Sequence, residues 1–75
     1  MKERLTEHIF TRIRTVWGVD FNEIYRLFSY QLSSSQLAYI QTLVSEKMAT
    51  FVNNKLVLNS KGFFISDSVA LELIP

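Results

Sequence analysis

The chain has one imidazole, His8, beside the carboxylates Glu3 and Glu7. Histidine can ligate a metal or haem, or move a proton near neutral pH. A single imidazole does not make a metal centre, and there is no cysteine and no second histidine to complete one. The residues around His8 read as the ordinary polar side of a first helix. Ser33, Ser34 and Ser35 offer hydroxyls, but a nucleophilic serine needs a base and a group to orient that base. Helix capping explains the run without chemistry. Asp67 and Ser68 are sequence neighbours on a last helix, so they point in different directions, as solvated residues do.

Two further constellations concern binding. Tyr25, Tyr30 and Tyr39 with Arg12, Arg14 and Arg26 could form an aromatic and basic surface. Arg14 and Arg26 could each hold a carboxylate or phosphate as a planar fork; exposed helix charge is the competing reading. A nucleic-acid reader of the helix-turn-helix type would place the third helix, Ser34 to Lys47, in the major groove. That helix offers Gln36, Gln41, Thr42 and Ser45, and glutamine can read adenine. It has no arginine, and one lysine at its far end. The phosphate contacts that dominate affinity are missing, and the turn Asn53-Asn54-Lys55 adds a single charge. A net charge of +1 argues the same way, against a nucleic-acid partner.

These side chains must be positioned by a small body. Seventy-five residues suffice for one domain, 1–75, with a thin core and a stability of about 4–11 kcal/mol. No disulfide can reinforce it. The start, MKERLTEHIF, places charges where a secretory signal would be apolar, and no apolar run nears the roughly 20 residues of a membrane span. A cytoplasmic location is expected. Apolar residues make up 48% of the chain, with six Phe, more than so small a body can enclose. The excess is either ordinary surface or a docking face for a larger protein.

Four helix starts share one local code: a polar cap, an apolar residue before it, and another four places into the helix. Thr6 caps the first, stapled by Leu5 and Phe10; Leu5, Ile9, Ile13 and Trp17 form its stripe, and Gly18 stops it. Asp20 caps the second, with Glu23 completing a box, Val19 and Ile24 as staple, and Phe21, Ile24, Leu27 and Phe28 facing inward. Ser33 and Gln36 box the third, Leu32 packing on Leu37, and Leu37, Ile40, Leu43, Val44 and Met48 form its stripe. A hairpin about Asn53-Asn54 follows, with Ala49, Phe51, Leu56 and Leu58 on one face and Thr50, Val52, Lys55 and Val57 on the other. Asparagine tolerates the left-handed backbone of a two-residue turn. Asn59 caps a fourth helix, stapled by Leu58 and Phe63, with Phe64, Ile65, Val69 and Leu73 facing inward. Gly62 in its first turn implies close approach of another backbone, with the hairpin's as the candidate. The expected fold is mainly α with a small two-stranded hairpin, winged-helix-like, in the order helix-helix-helix-hairpin-helix.

With these residues in place, the chain resembles the C-terminal domain of the oxygen-independent coproporphyrinogen III oxidase family. These are radical S-adenosylmethionine proteins, a family that includes haem chaperones. Arg14, Gly18, Val19 and Asp20 resemble the family's Leu-Arg, spacer, Gly-Ile/Val-Asp pattern. Lys55-Leu56-Val57-Leu58 resembles its basic-Leu-any-Leu strand. Asn59-Ser60-Lys61-Gly62, then Ser66-Asp67-Ser68-Val69 and Glu72-Leu73, are similar to the family ending, which opens on Thr-Pro-Lys/Arg-Gly. Asn59 can cap as the family's Thr does, and Ser60 takes a first-turn place often held by Pro. Lys47 stands where the family usually has Gly to end the third helix in a left-handed turn. Asn54 stands where Gly is common.

The resemblance implies a non-catalytic accessory domain of a longer protein. The family's [4Fe–4S] cluster is held by a Cys-x3-Cys-x2-Cys motif in a catalytic barrel, and no position here corresponds to it. Neither cluster nor S-adenosylmethionine is therefore assigned to these residues, and no catalytic, cofactor-binding or metal residue is named. The parent's implied reaction is oxidative decarboxylation of two propionates of coproporphyrinogen III to vinyl groups, giving protoporphyrinogen IX in haem biosynthesis. The haem-chaperone alternative stays open. The implied partners are the barrel of the same protein and, through it, porphyrinogen or haem. Arg14 is the candidate contact to a propionate or to the barrel. A free-standing winged-helix nucleic-acid binder remains the reading from another class.

Overall fold

The structure, a computed structural model, describes residues 2–75. In chain order the elements are α1 (Lys2–Ile13), β1 (Val19–Asp20), α2 (Phe21–Phe28), α3 (Ser34–Ser45), β2 (Ala49–Val52), β3 (Lys55–Leu58), α4 (Ser60–Phe63) and α5 (Ser66–Leu73). This is the expected mainly helical, winged-helix-like chain. It carries one more strand than the sequence suggested, and the last helix is divided. The strands form an antiparallel sheet in the order β1-β3-β2.

The hairpin has the expected register, with Ala49 opposite Leu58 and Phe51 opposite Leu56. Asn53 and Asn54 both take left-handed backbone, at φ 53° and 62°, as a tight hairpin turn requires. Ala49, Leu56 and Leu58 are buried beneath the helices, while Thr50, Val52 and Lys55 are exposed on the other side. Phe51 is half-buried and meets Phe21 edge-on, ring centres 6.5 Å apart. The added strand arises at Gly18, whose φ of 71° turns the chain out of the α1 region. A Cβ there would run into the Leu56 carbonyl oxygen, so only glycine lets β1 lie along β3.

The first helix corrects the expectation. It begins at Lys2, so Thr6 is inside it and is no cap. Lys, Glu, Arg and Leu are good helix formers, and Leu5 is already helical where it is buried in the core. Leu5, Ile9 and Ile13 are buried, but Trp17 is 70% exposed and leaves the stripe. The helix stops at Ile13 rather than Gly18. The Thr15 hydroxyl and amide both donate to the Arg12 carbonyl, at 2.8 and 3.0 Å, and the Gly18 amide returns to Thr15. This tight turn swings Val16 and Trp17 outward.

Asp20 caps α2, its carboxylate accepting from the Asn22 and Glu23 amides at 3.0 and 3.3 Å. The expected box is only half formed, because the Glu23 carboxylate turns to His8. Phe21 and Ile24 are buried, whereas Leu27 is exposed. The Ser33–Gln36 box is complete. Ile40 and Leu43 are buried on α3, with Leu37 and Val44 at its exposed margins. Its end is a Schellman motif: the Met48 amide donates to the Leu43 carbonyl and the Lys47 amide to that of Val44, with Lys47 left-handed at φ 59°.

Asn59 caps α4 by accepting from the Gly62 amide at 3.1 Å. The anticipated single helix breaks at Phe64 and Ile65, where the Ile65 amide reaches back to the Gly62 carbonyl. The bend lets Val69, Ala70 and Leu73 enter the core, while Phe63 stays partly exposed and Phe64, expected inside, is 92% exposed.

Candidate docking interface

Helices cover one face of the sheet and leave the other open. The open face carries Thr50, Val52, Lys55 and Val57; Val52 is 65% exposed and Val57 half-buried. β-branched side chains are what a strand needs, and period-2 alternation puts these four outward once the other face is buried. Gly18 packs against Val57, so the Val16–Trp17 turn emerges at the rim of this face. There Arg12, Trp17, Gly18, Asp20, Glu23 and Lys55 line a notch of about 220 Å³. That is smaller than the roughly 300–1,000 Å³ of small-molecule sites, and suits a single side chain.

The charges around the notch are unevenly engaged. Asp20 is held by the two α2 amides, and Glu23 lies 3.4 Å from His8 Nε2. Among the described residues no carboxylate oxygen lies within 4.0 Å of an Arg12 or Lys55 side-chain nitrogen, although Asp20 and Glu23 share the notch with them and Asp20 is opposite Lys55 across β1 and β3.

Arg14, the candidate substrate contact, is paired with Asp67 and joins the end of α1 to the start of α5. Both side chains are more than half exposed. Asp67, which the sequence suggested was merely solvated, is thus a partner of Arg14. His8 packs edge-on against Phe28, ring centres 5.6 Å apart, and its enclosed Nε2 has no hydrogen bond. Among the described residues no three His, Cys, Asp or Glu side chains gather so as to hold a metal.

The tyrosines and arginines do not make one surface. The Tyr30 hydroxyl donates to the Leu73 carbonyl at 2.8 Å, tying the α2–α3 loop to the end of α5. Tyr39 is half-buried; that burial, then the Glu72 carboxylate, pushes its phenol above the ordinary value. Tyr25 is exposed and lines a second hollow with Phe21, Asn22, Leu37 and Asn54. The Asn54 side-chain NH₂ donates to the Asn22 side-chain oxygen at 3.0 Å, fixing the hairpin turn against α2.

Gln36, the sequence's candidate base reader, is engaged inside the domain. Its carbonyl oxygen accepts from the Ser33 amide at 2.8 Å, and its NH₂ lies 3.1 Å from the Glu72 and Ile74 carbonyl oxygens. Among the described residues no helix is long and apolar enough to cross a membrane.

Sequence reasoning missed the third strand, the exposed Trp17 and the Arg14–Asp67 pair. The Thr15-Val16-Trp17-Gly18 run held the signal for the first two: a threonine able to close a turn, and a glycine able to start a strand. The third had no signal, since its partners are 53 positions apart. Compared with known proteins, the chain matches no family model, no curated protein and no solved structure.

Proposed function

We propose that this chain is a non-catalytic docking domain, and specifically the C-terminal domain of an oxygen-independent coproporphyrinogen III oxidase-like protein or of a haem chaperone of that family. The observation that carries the docking reading is the open sheet face with Val52 and Trp17 exposed beside it. Tryptophan is among the residues enriched in contact surfaces and in their energetic centres.

The family part rests on the quoted motifs, and each has a structural reason. Gly18 makes room for the Leu56 carbonyl, Asp20 and Asn59 cap helices, and Gly62 makes room for Met48. These are residues that build a fold, which suits an accessory role. With no cysteine, the chain has no thiolate for a [4Fe–4S] cluster. Cluster and S-adenosylmethionine chemistry, with the decarboxylation it supports, would belong to the parent's barrel. Arg14 would act there through its pair with Asp67, as a brace of the docking surface. A cytoplasmic parent fits a cysteine-free domain.

The test uses the gene and the parent together. The upstream coding sequence should encode a Cys-x3-Cys-x2-Cys segment, and its absence would remove the family assignment. Hydroxyl-radical footprinting should label Trp17 and Val52 in this chain alone and spare them in the parent. Equal labelling in both would remove the docking reading.

A further inference from the structure

We infer that the free edge of β2 is a self-association surface, which pairs with β2 of a second copy of this chain about a two-fold axis at Thr50. The inference stands apart from the docking reading of the open sheet face. Val52 and Lys55 close the Asn53-Asn54 turn, and such a pair exchanges backbone bonds. Bonded and non-bonded pairs alternate along an antiparallel ladder, so Thr50 and Val57 are the next bonded pair. The Met48 carbonyl, which accepts from the Asn59 amide at 3.0 Å, has the same parity. Ala49 and Phe51 therefore turn their N–H and C=O groups away from β3, to the edge. Among the described residues no backbone group of another element bonds to either of them. Spaced donors and acceptors of this kind are the template for another extended strand. The edge, Ala49-Thr50-Phe51-Val52, carries no charge, no proline and no bulge to prevent such pairing.

The occupant is a second copy because the strand complements itself. A two-fold axis at Thr50 sets Ala49 opposite Phe51 of the second copy, and Phe51 opposite its Ala49. Both outward-facing residues of each strand are then bonded within β2, which no other two-fold register achieves. Thr50 meets Thr50 of the second copy on the open face, a favourable cross-strand pair. On the covered face a large Phe meets a small Ala. A two-fold contact also sets groups near its axis against their own images, so a charge there would repel itself. β2 has no charge, and the nearest along the chain, Lys47, falls across from Asn53 rather than from its own copy. The two sheets, each ordered β1-β3-β2, join into one through their β2 edges.

Sedimentation equilibrium of the intact chain, from about 10 µM to about 2 mM, should show a reversible monomer–dimer equilibrium with a Kd of about 0.1–1 mM. Over the same range, amide exchange at Ala49 and Phe51 should slow, while Thr50 and Val52, already bonded within the hairpin, change less. That measurement needs no variant. Thr50 is exposed, so Thr50→Lys and Thr50→Glu keep the fold, which circular dichroism checks. Each variant alone places like charges across the axis and should weaken self-association at least roughly 5-fold. An equimolar mixture of the two should recover it. A monomer throughout the range would overturn the inference. So would a dimer with exchange at Phe51 unaltered, charged variants that associate like the wild type, or a mixture that does not recover.

Discussion

Gly62 lies against the Met48 carbonyl: a Cβ built on it would sit 2.5 Å from that oxygen and 3.1 Å from the Leu58 side chain. The same oxygen accepts from the Asn59 amide at 3.0 Å, so it cannot move without loosening the cap of α4. In an open helix Gly62→Ala would gain about 1 kcal/mol from propensity. Here overpacking of about 1–3 kcal/mol opposes it. The expected outcome is a net loss of up to about 2 kcal/mol in urea unfolding. A more stable variant would mean that α4 is not pressed against the strand.

Lys47 is the opposite case. It holds φ 59° with its side chain exposed, so a left-handed backbone is imposed on a residue that resists it. Lys47→Gly should relieve that strain while loosening the unfolded chain, for a net gain of about 0.5–1 kcal/mol. The Asn59 side chain donates to the Lys47 carbonyl at 2.6 Å, a contact the substitution preserves. A rise in the thermal midpoint is the readout.

The Arg14–Asp67 pair joins distant segments, yet both side chains are exposed. A double-mutant cycle of Arg14→Ala and Asp67→Ala should give a coupling below about 1 kcal/mol that fades in high salt. A larger, salt-insensitive coupling would make the pair a structural bolt.

Tyr39 gives a pH signature. Its phenol is raised by burial first and the Glu72 carboxylate second. A group whose folded value exceeds its unfolded value binds its proton more tightly in the native state. Its contribution is complete below the unfolded value and is lost as pH climbs through the folded one. Stability should therefore fall at alkaline pH, from about pH 10 upward. Tyr39→Phe should lessen that fall, measured as the difference in urea midpoint between variant and wild type across the range. An identical fall in both would assign it to other groups.

Much of this fold is written in short segments. The Ser33–Gln36 box, the Asp20 and Asn59 caps, the Asn53-Asn54 turn and the hairpin register are each fixed by residues within a few positions of one another. Such features answer to local sterics and local hydrogen bonds, which a sequence displays directly. The errors fell where local codes compete. Leu5 satisfied both a staple at Thr6 and a core stripe, and the core won. Phe64 fitted an inward helical face, but the bend at Ile65 carried it to solvent.

Of the docking surface, the sequence showed the alternation that separates Val52 and Val57 from Phe51 and Leu56, and a surplus of apolar residues. It did not show where the surplus gathers. That took the pairing of Val19 with Leu56, which brings the Trp17 turn beside Lys55.

By itself, then, the chain determined the caps of α2, α3 and α4, its turn, its hairpin register and its lack of thiolate chemistry, because each depends on residue type and near neighbours. Tertiary structure alone decided that Arg14 meets Asp67, that Gln36 is held by the Glu72 and Ile74 carbonyls, and that Arg12, Lys55, Asp20 and Glu23 gather beside an exposed Trp17. The reason is physical: these relations join residues far apart in sequence. Which of them come together is set by how the buried faces of all the elements pack at once.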